Sequence, residues 1–347
     1  MTPRPTGSPR TGRNDEVGDV PAGSPGPEAG RAAPTDEELT ALDGLKGRGM
    51  WELGGHQLHL TNLDKVLFPP RDRRRRPLTK RDLIRHCARS APAMLPYLAG
   101  RAVNLHRYPD GVGTKGFWHK EAPDYAPSWL RRWRNPDADP GETQTYIVAD
   151  SAASLAWLAN FGALELHPWT SRIDAPDEPT WALFDIDPGD AMSFAEVLEL
   201  ARLHRTALEH LGVQGCPKVT GKRGIQIWVP VAAGYTFTDT RRWVETVSRA
   251  IGATVPDLVS WEWEVARRGG RVRLDYTQNA INKTLVAPFS TRPAPGAPVS
   301  VPIHWDELDD ERLRPDRWTI LDAQQRLSDV GDPLASLIGS QQELPAL

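Results

Sequence analysis

Only two cysteines occur in the 347 residues, Cys87 and Cys216, far apart and with no CxxC or Cys/His spacing. That scarcity excludes a disulfide scaffold and argues against a structural zinc site. Cys87 falls within a helical pattern and Cys216 beside a strand, so both read as small core residues. Long apolar runs are missing as well. Nothing reaches the roughly 20 apolar residues of a membrane-spanning helix, and no apolar h-region of a signal peptide opens the sequence. The expected location is the cytoplasm. A strong net charge is lacking too: the formal value is −3. That balance excludes little, because a nucleic-acid protein needs only a local concentration of positive charge.

Positive charge is concentrated in two runs, Arg71 with Arg73 to Arg76, and Arg267, Arg268, Arg271 and Arg273. Each alone is an ordinary solvated loop or face; the pair beside other signals fits a patchily basic protein. Residues 1–34 are rich in Pro, Gly, Arg, Ser and Thr with almost no large apolar side chains. They cannot offset their ordering entropy, so a disordered tail is expected over 1–40, with a lead-in to about Gly49. A folded domain is expected over 50–325 and a polar C-terminal tail over 326–347.

Within the domain, Thr79 reads as the N-cap of a helix carrying Leu83, Ile84, Cys87 and Ala88. Ala102 to Tyr108 reads as a strand with Phe117 to Lys120 as its hairpin partner. Ser151 to Asn160 reads as a helix, Ala163 to His167 as a strand, and Trp181 to Asp187 as a strong strand. Ser193 and Glu196 form a capping box that opens a helix ending at Gly212. Lys218 and Ile225 to Val231 return as strand. Strand, helix and strand in that order imply an α/β chain with a βαβ or split βαβ core. A helix over Asp239 to Ile251, strands near Val259 to Val265 and Arg271 to Tyr276, and a closing helix over Leu321 to Leu327 complete the pattern.

Strand alternation in Trp181-Ala-Leu-Phe-Asp-Ile-Asp187 puts Leu183, Asp185 and Asp187 on one face and Ala182, Phe184 and Ile186 on the other. Two carboxylates about 7 Å apart along one strand face repel each other unless a cation sits between them, and hard divalent ions with oxygen ligands do that. A strand end running into a polar turn is the plainer alternative. Arg271-Val-Arg-Leu-Asp-Tyr276 offers Asp275 as a third ligand, or simply a surface Arg–Asp pair. Thr220-Gly-Lys-Arg-Gly224 is a basic loop able to meet phosphates, or an ordinary hairpin turn; it lacks the glycine spacing and the Lys-Ser/Thr ending of a Walker A loop. His167 fits a phosphate contact or a structural histidine. Phe117-Trp118 fits a base-stacking platform or part of the core.

In this order these segments resemble the polymerase domain of bacterial ligase D, of the archaeo-eukaryotic primase superfamily. The matching stretches are Leu60 to Pro69, Arg107-Tyr-Pro-Asp-Gly111, Glu165-Leu-His-Pro-Trp169, Phe184 to Gly189, Lys218 to Pro230, Leu274-Asp-Tyr-Thr-Gln-Asn279, Ala287 to Arg292 with Pro298-Val-Ser300, and Trp305 to Leu308. The resemblance spans about His56 to Asp322. It implies a mixed α/β primase-polymerase fold with two packed sheet-containing lobes and an RRM-like catalytic core. It implies two divalent ions, Mn2+ or Mg2+, on Asp185, Asp187 and Asp275. His167, Thr220 (serine in the usual pattern), Arg223, Gln226, Gln278 and Arg292 would serve the incoming nucleotide. Lys65 and Lys80 would grip a 5′-phosphate, and Phe117 or Trp118 would stack on the template. The implied activity adds nucleotides, preferably ribonucleotides, to DNA ends or gaps in end joining, in the nucleoid, with Ku and a separate ligase as partners. Phosphoryl transfer needs chiefly metals, cations and in-line placement, which agrees with this residue set.

Two departures stand out. Gln226 replaces the family's usual histidine and cannot carry charge, which lowers the expected nucleotide affinity or turnover. The run Arg71 to Arg76 lengthens the stretch between Lys65 and Lys80. No Lys-x-Asp-Gly adenylation motif occurs, so a stand-alone polymerase-type protein is expected. The competing readings are a catalytically weak DNA-end-binding protein of the same fold, and a metal-dependent nuclease using the same three acids.

Overall fold

Two five-stranded sheets carry the chain, both antiparallel in every pairing, each faced by helices. The structure is a computed structural model that describes residues 32–189 and 192–347. Most of the proline-, glycine- and arginine-rich tail expected from the sequence lies outside them.

The hub of the first sheet is the strand Val103–Arg107. It pairs with Phe117–His119 on one side and Ala163–Pro168 on the other, and touches Thr145–Ile147, which pairs with Arg132–Arg134. The expected hairpin is therefore present. The helix Ala152–Asn160 lies against Ala163–Pro168 and packs on Lys80–Arg89. Thr79 caps the latter through Asp82, whose carboxylate accepts the Thr79 N–H at 2.7 Å.

The second sheet has the order Arg273–Leu274, Trp181–Asp187, Ile225–Pro230, Cys216–Val219, Val301–Pro302. Trp181–Asp187 and Cys216–Val219 both pair antiparallel with the strand between them. They thus run parallel to each other, and the helix Phe194–His210 connects them: a split βαβ unit. Ser193 and Glu196 form the capping box at its start, with the Ser193 N–H 2.7 Å from the Glu196 carboxylate. Val197, Leu200, Ala201 and Leu208 are buried on the sheet side, each fully buried Leu or Val stabilising by about 1.5–3 kcal/mol relative to exposure. On the back of Trp181–Asp187, Phe184 meets His204 and Trp243 edge-on, so two helices cover the apolar face. The acidic face is left pointing away from them.

The segment 285–292 sews the sheets together. The Ala287 N–H donates to Leu166 at 2.9 Å, Ser290 Oγ accepts from the Leu166 N–H at 2.9 Å, and the Phe289 N–H reaches Ser300 at 2.6 Å. One core cluster runs through both lobes.

Several stretches differ from the sequence pattern, among them the strand expected over Arg271 to Tyr276, which is Arg273–Leu274, and the closing helix, which is Ala323–Val330. Residues 36–44, expected as tail and lead-in, form the helix Asp36–Gly44 behind a Thr35–Glu38 capping box. Trp51 Nε1 holds it by donating to Glu38 at 2.7 Å. The helix expected over Asp239 to Ile251 is longer, Phe237–Thr254. The strand expected over Val259 to Val265 is one bridge, Val259 to Val272, followed by a 3-10 turn at Val265–Arg267. The cause is Arg268, whose guanidinium turns inward and donates to the Glu262 and Trp263 carbonyls, so the chain coils around it. Residues 326–347 pack back onto the domain: Leu334 is buried, the Ala232 N–H donates to Gln342 at 2.9 Å, and Trp243 Nε1 donates to Pro345 at 3.1 Å.

Candidate functional site

Side chains directly opposite one another on neighbouring strands share a face, and one such row crosses the second sheet. Asp185 stands opposite Gln226, and Gln226 opposite Lys218. On the other side the Asp275 N–H donates to the Asp185 carbonyl at 2.8 Å, one step beyond the paired Ile186 and Leu274. The order is Asp275, Asp185, Gln226, Lys218. Asp187 lies two residues along the same face, opposite Arg273. The three acids read from the sequence are thus neighbours. Asp275 occupies the cap of a 3-10 turn, Tyr276–Gln278, and not a strand position.

Each carboxylate is held differently. Asp185 Oδ1 accepts from Gln226 Nε2 at 3.1 Å. Asp187 Oδ2 accepts from Arg268 Nη1 at 3.0 Å. Asp275 accepts from the Thr277 hydroxyl at 2.5 Å, from Gln278 Nε2 at 2.8 Å and from Arg273 Nη2 at 3.4 Å. Burial, and after it the charges of Asp187 and Asp275, push the Asp185 carboxyl up to about 7. Burial alone would raise Asp275, but its hydrogen bonds from Thr277 and Gln278 and the Arg273 charge hold it below the usual carboxylate range.

This donor set suits hard divalent cations, being all oxygen and carrying more negative charge than its protein partners neutralise at Asp185. Among the described residues no three such groups already close around one point. Arg268 and Arg273 instead lie against two of the acids.

His167, Thr220, Arg223, Gln226 and Arg292 line a cleft of about 220 Å³ together with Asp185 and Asp187. Gln278 sits behind it on Asp275. The Thr220 hydroxyl accepts the Gly224 N–H at 3.2 Å and shapes the basic loop. Two glycines there admit no side chain. A Cβ on Gly224 would lie 2.4 Å from the Ile186 carbonyl oxygen, and one on Gly221, at φ +75°, 2.8 Å from the Val299 backbone. Both ring nitrogens of His167 are buried with no hydrogen-bond partner among the described residues, and burial pushes the ring down to about 4, which favours the neutral form. Lys218 is fully buried and donates to Ser300 Oγ at 2.5 Å and the Val286 carbonyl at 3.1 Å; burial holds its pKa well below the ordinary value.

A second row crosses the first sheet. Trp118 stands opposite His106, and His106 opposite Glu165. The Trp118 and His106 rings stack at 4.6 Å and 7°, and Trp118 meets His167 edge-on at 4.9 Å. Glu165, buried, lies 2.5 Å from His106 Nδ1 and 2.6 Å from Arg292 Nε. Phe117 and Trp118 remain 45% and 52% exposed, available for stacking and not core. Sequence reading assigned no role to Glu165, His106 or Lys218. Alternation in Glu165-Leu-His167 was the available signal, since it puts Glu165 on the face of His167.

Lys65 and Lys80 meet at the base of one hairpin. Its strands Val66–Phe68 and Leu78–Thr79 pair, and the Lys80 N–H donates to the Lys65 carbonyl at 2.9 Å. The arginine run is the hairpin's tip, so its length leaves the two lysines together. Lys65 Nζ donates to Asp110 at 2.6 Å. Lys80 is only 7% exposed, and its ammonium has no hydrogen bond or ion pair among the described residues. Burial, then Lys65 and Arg107, lowers it to about 8. The second arginine run is largely internal: Arg268 and Arg273 are buried against acids, and Arg267 pairs with Glu264.

The chain is similar to known proteins in sequence and fold. Residues 79–334 match the family described as LigD, primase-polymerase domain. The multifunctional non-homologous end joining protein LigD of Mycolicibacterium smegmatis is 32% identical over 284 residues, covering 81% of this chain and 36% of that protein. The bifunctional LigD of Bacillus subtilis is 29% identical over 290 residues, covering 83% and 45%. The chain therefore spans less than half the length of these relatives. The polymerase domain of Mycobacterium tuberculosis ligase D, solved in complex with DNA, superposes with a TM-score of 0.73 at 31% identity, covering 82% of this chain and 99% of that one. The chain belongs to the LigD primase-polymerase domain family.

Proposed function

We propose that the protein is a metal-dependent nucleotidyltransferase that adds nucleotides, preferentially ribonucleotides, at DNA ends or gaps during non-homologous end joining. The observation that carries this is the row Asp275, Asp185, Gln226, Lys218 with Asp187 beside it, facing a cleft rimmed by His167, Thr220, Arg223 and Arg292.

Asp185, Asp187 and Asp275 would hold two divalent ions, Mn2+ or Mg2+. When bound, such ions neutralise phosphate charge and activate the attacking hydroxyl. Arg292, held by Glu165, and the basic loop Thr220–Gly224 receive the triphosphate of an NTP or dNTP. Neutral His167 has a ring nitrogen able to donate to a phosphate or sugar oxygen. Arg268 and Arg273 pair with Asp187 and Asp275 and would yield to the ions. Trp118, braced on His106, offers a face to a template base. Lys80 offers a buried, unneutralised ammonium to a 5′-phosphate, with Lys65 beside it. The solved relative's DNA complex supports DNA as the partner. Ku and a separate ligase are the further partners that end joining calls for, and the nucleoid is the place of action. Among the described residues no helix is long and apolar enough to cross a membrane.

Primer extension on a gapped duplex bearing a 5′-phosphate, with Mn2+ and ribonucleotides, tests the reading. Growth of the primer is expected, and Asp185→Ala abolishes it while leaving DNA binding largely intact. Comparable extension by that variant contradicts the ligand assignment. Gln226 and the arginine-held acids keep a second reading in play, a DNA-end-binding protein with little catalysis, for which no product forms. Shortening of the primer would mark a nuclease instead.

A further inference from the structure

The hairpin that brings Lys65 and Lys80 together ends in three exposed arginines whose side chains have no partner among the described residues. Its two feet are fixed. Arg71 donates through Nε to the Pro295 carbonyl at 3.0 Å and through Nη1 to the Asp316 carbonyl at 2.8 Å, and it pairs with the Asp316 carboxylate at 3.1 Å. Arg76 grips Asp82 with its two terminal guanidinium nitrogens, each at 2.7 Å. The Gly296 N–H donates to the Pro69 carbonyl at 2.8 Å. Asp72 closes the turn between the feet, accepting the Arg74 N–H at 3.0 Å and the Arg75 N–H at 2.9 Å. Arg73, Arg74 and Arg75 stand exposed on this anchored turn, and their guanidinium groups make no ion pair or hydrogen bond among the described residues.

An ordinary solvated arginine loop is flexible and partly neutralised by local acids. Here Asp316 pairs with Arg71 and Asp82 with Arg76, and the one acid within the turn, Asp72, accepts the Arg74 N–H through its carboxylate. Three arginines against the single carboxylate of Asp72 leave the anchored turn a net cationic tip with low ordering cost, and that tip continues from the buried, unneutralised Lys80. Arg73 stands eight positions after Lys65, an extended reach of at most about 27 Å. Duplex DNA rises 3.4 Å per base pair on each strand, so that span corresponds to roughly eight base pairs. Guanidinium groups match phosphodiester oxygens in geometry as well as charge.

We propose that the arginine tip Arg73–Arg75 grips the phosphodiester backbone of the duplex beyond the 5′-phosphate, forming a second phosphate-binding element in line with Lys65 and Lys80. This rests on the proposed action at DNA ends. It gives the hairpin two tasks: the base reads the terminal phosphate, and the tip reads the presence of continuous duplex behind it.

The test compares two gapped duplexes, both carrying the 5′-phosphate. One has an ordinary downstream arm; in the other, the linkages beyond the second downstream nucleotide are neutral methylphosphonates. Affinity is measured from about 50 to 200 mM salt, where each phosphate contact contributes about threefold. The wild-type protein should bind the ordinary arm roughly tenfold or more tightly than the neutral one. The R73A/R74A/R75A variant should lose that preference, and its salt slope should fall by about 2 to 3. R73K/R74K/R75K should retain most of both. An unchanged slope and preference in the alanine variant overturns the proposal, as does an equal loss of affinity for both arms. A wild-type protein that binds no gapped duplex removes the functional reading beneath it, a result distinct from an inert tip.

Discussion

The amide of Asp275 is bonded to the carbonyl of Asp185 at 2.8 Å, although ninety positions separate the two residues. Their closeness is therefore fixed by backbone pairing and does not depend on side-chain rotamers. Asp275 is further set by Thr277 and Gln278, which donate to its two carboxylate oxygens. Asp275→Asn keeps the shape and removes one ligand charge. It should lower extension by about a thousandfold or more, the scale of losing a metal's charge stabilisation, with DNA affinity within about twofold of wild type. Steady-state extension and fluorescence anisotropy check the two halves.

The burial of Asp185 has a consequence for stability. Its folded pKa of about 7 lies above the usual 3.8, so the folded state binds the extra proton between those values. The resulting stability is fully present below pH 4 and is lost as pH rises through 7. In metal-free buffer, Asp185→Asn should therefore melt higher than wild type at pH 8, by on the order of 2 kcal/mol. The gap should close toward pH 5. Thermal melts in chelator across that range measure it, and a variant less stable at pH 8 contradicts it.

Gln226 touches Asp185 at 3.1 Å and lines the cleft. Gln226→His places a group able to carry positive charge beside the proposed triphosphate site. The nucleotide KM should fall roughly threefold to tenfold, about the worth of one charge-assisted hydrogen bond. An unchanged or raised KM would show that the glutamine is no handicap.

The lines of the fold that could be read from the sequence are those where local pattern and global packing agree. Trp181 to Asp187 alternates cleanly, and Ser193 and Glu196 cap their helix as their spacing dictates. The stretch after Thr254 could not be read that way. Its valines and tryptophans look like strand, yet the chain coils around Arg268, whose partner Asp187 lies 81 positions earlier. Two arginines of a basic run read as solvated or DNA-facing, Arg268 and Arg273, are there internal. The acids were legible as a pair because two lay on one strand; the third was offered by alternation over Arg271 to Tyr276 as either a ligand or a surface Arg–Asp partner, and the strand assumed there ends before Asp275, which caps a 3-10 turn. Glu165 went unassigned because its partners, His106 and Arg292, come from two other segments.

Lys80 is held down to about 8 by burial and by the charges of Lys65 and Arg107. It is cationic below that value and loses its proton above it. Preference for 5′-phosphate over 5′-hydroxyl ends should thus be full near pH 7 and decline toward pH 9, while Lys80→Gln should show little preference at either. Competition binding with the two ends reports this directly.

Trp118 stacks on His106 with half its surface open. Trp118→Ala should weaken binding of substrates with an unpaired template base by about 1–3 kcal/mol. Affinity for blunt duplex should change far less. A loss equal on both would show that the tryptophan supports the sheet instead of the template.

Manganese binding tests the convergence of the carboxylates most directly. Electron paramagnetic resonance titration of Mn2+ in the presence of a nonhydrolysable ribonucleotide should count two bound ions in the wild-type protein. At least one should be lost in Asp275→Asn and in Asp187→Asn. Wild-type protein that binds no Mn2+, or an Asp275→Asn variant that binds both ions with unchanged affinity, contradicts the account.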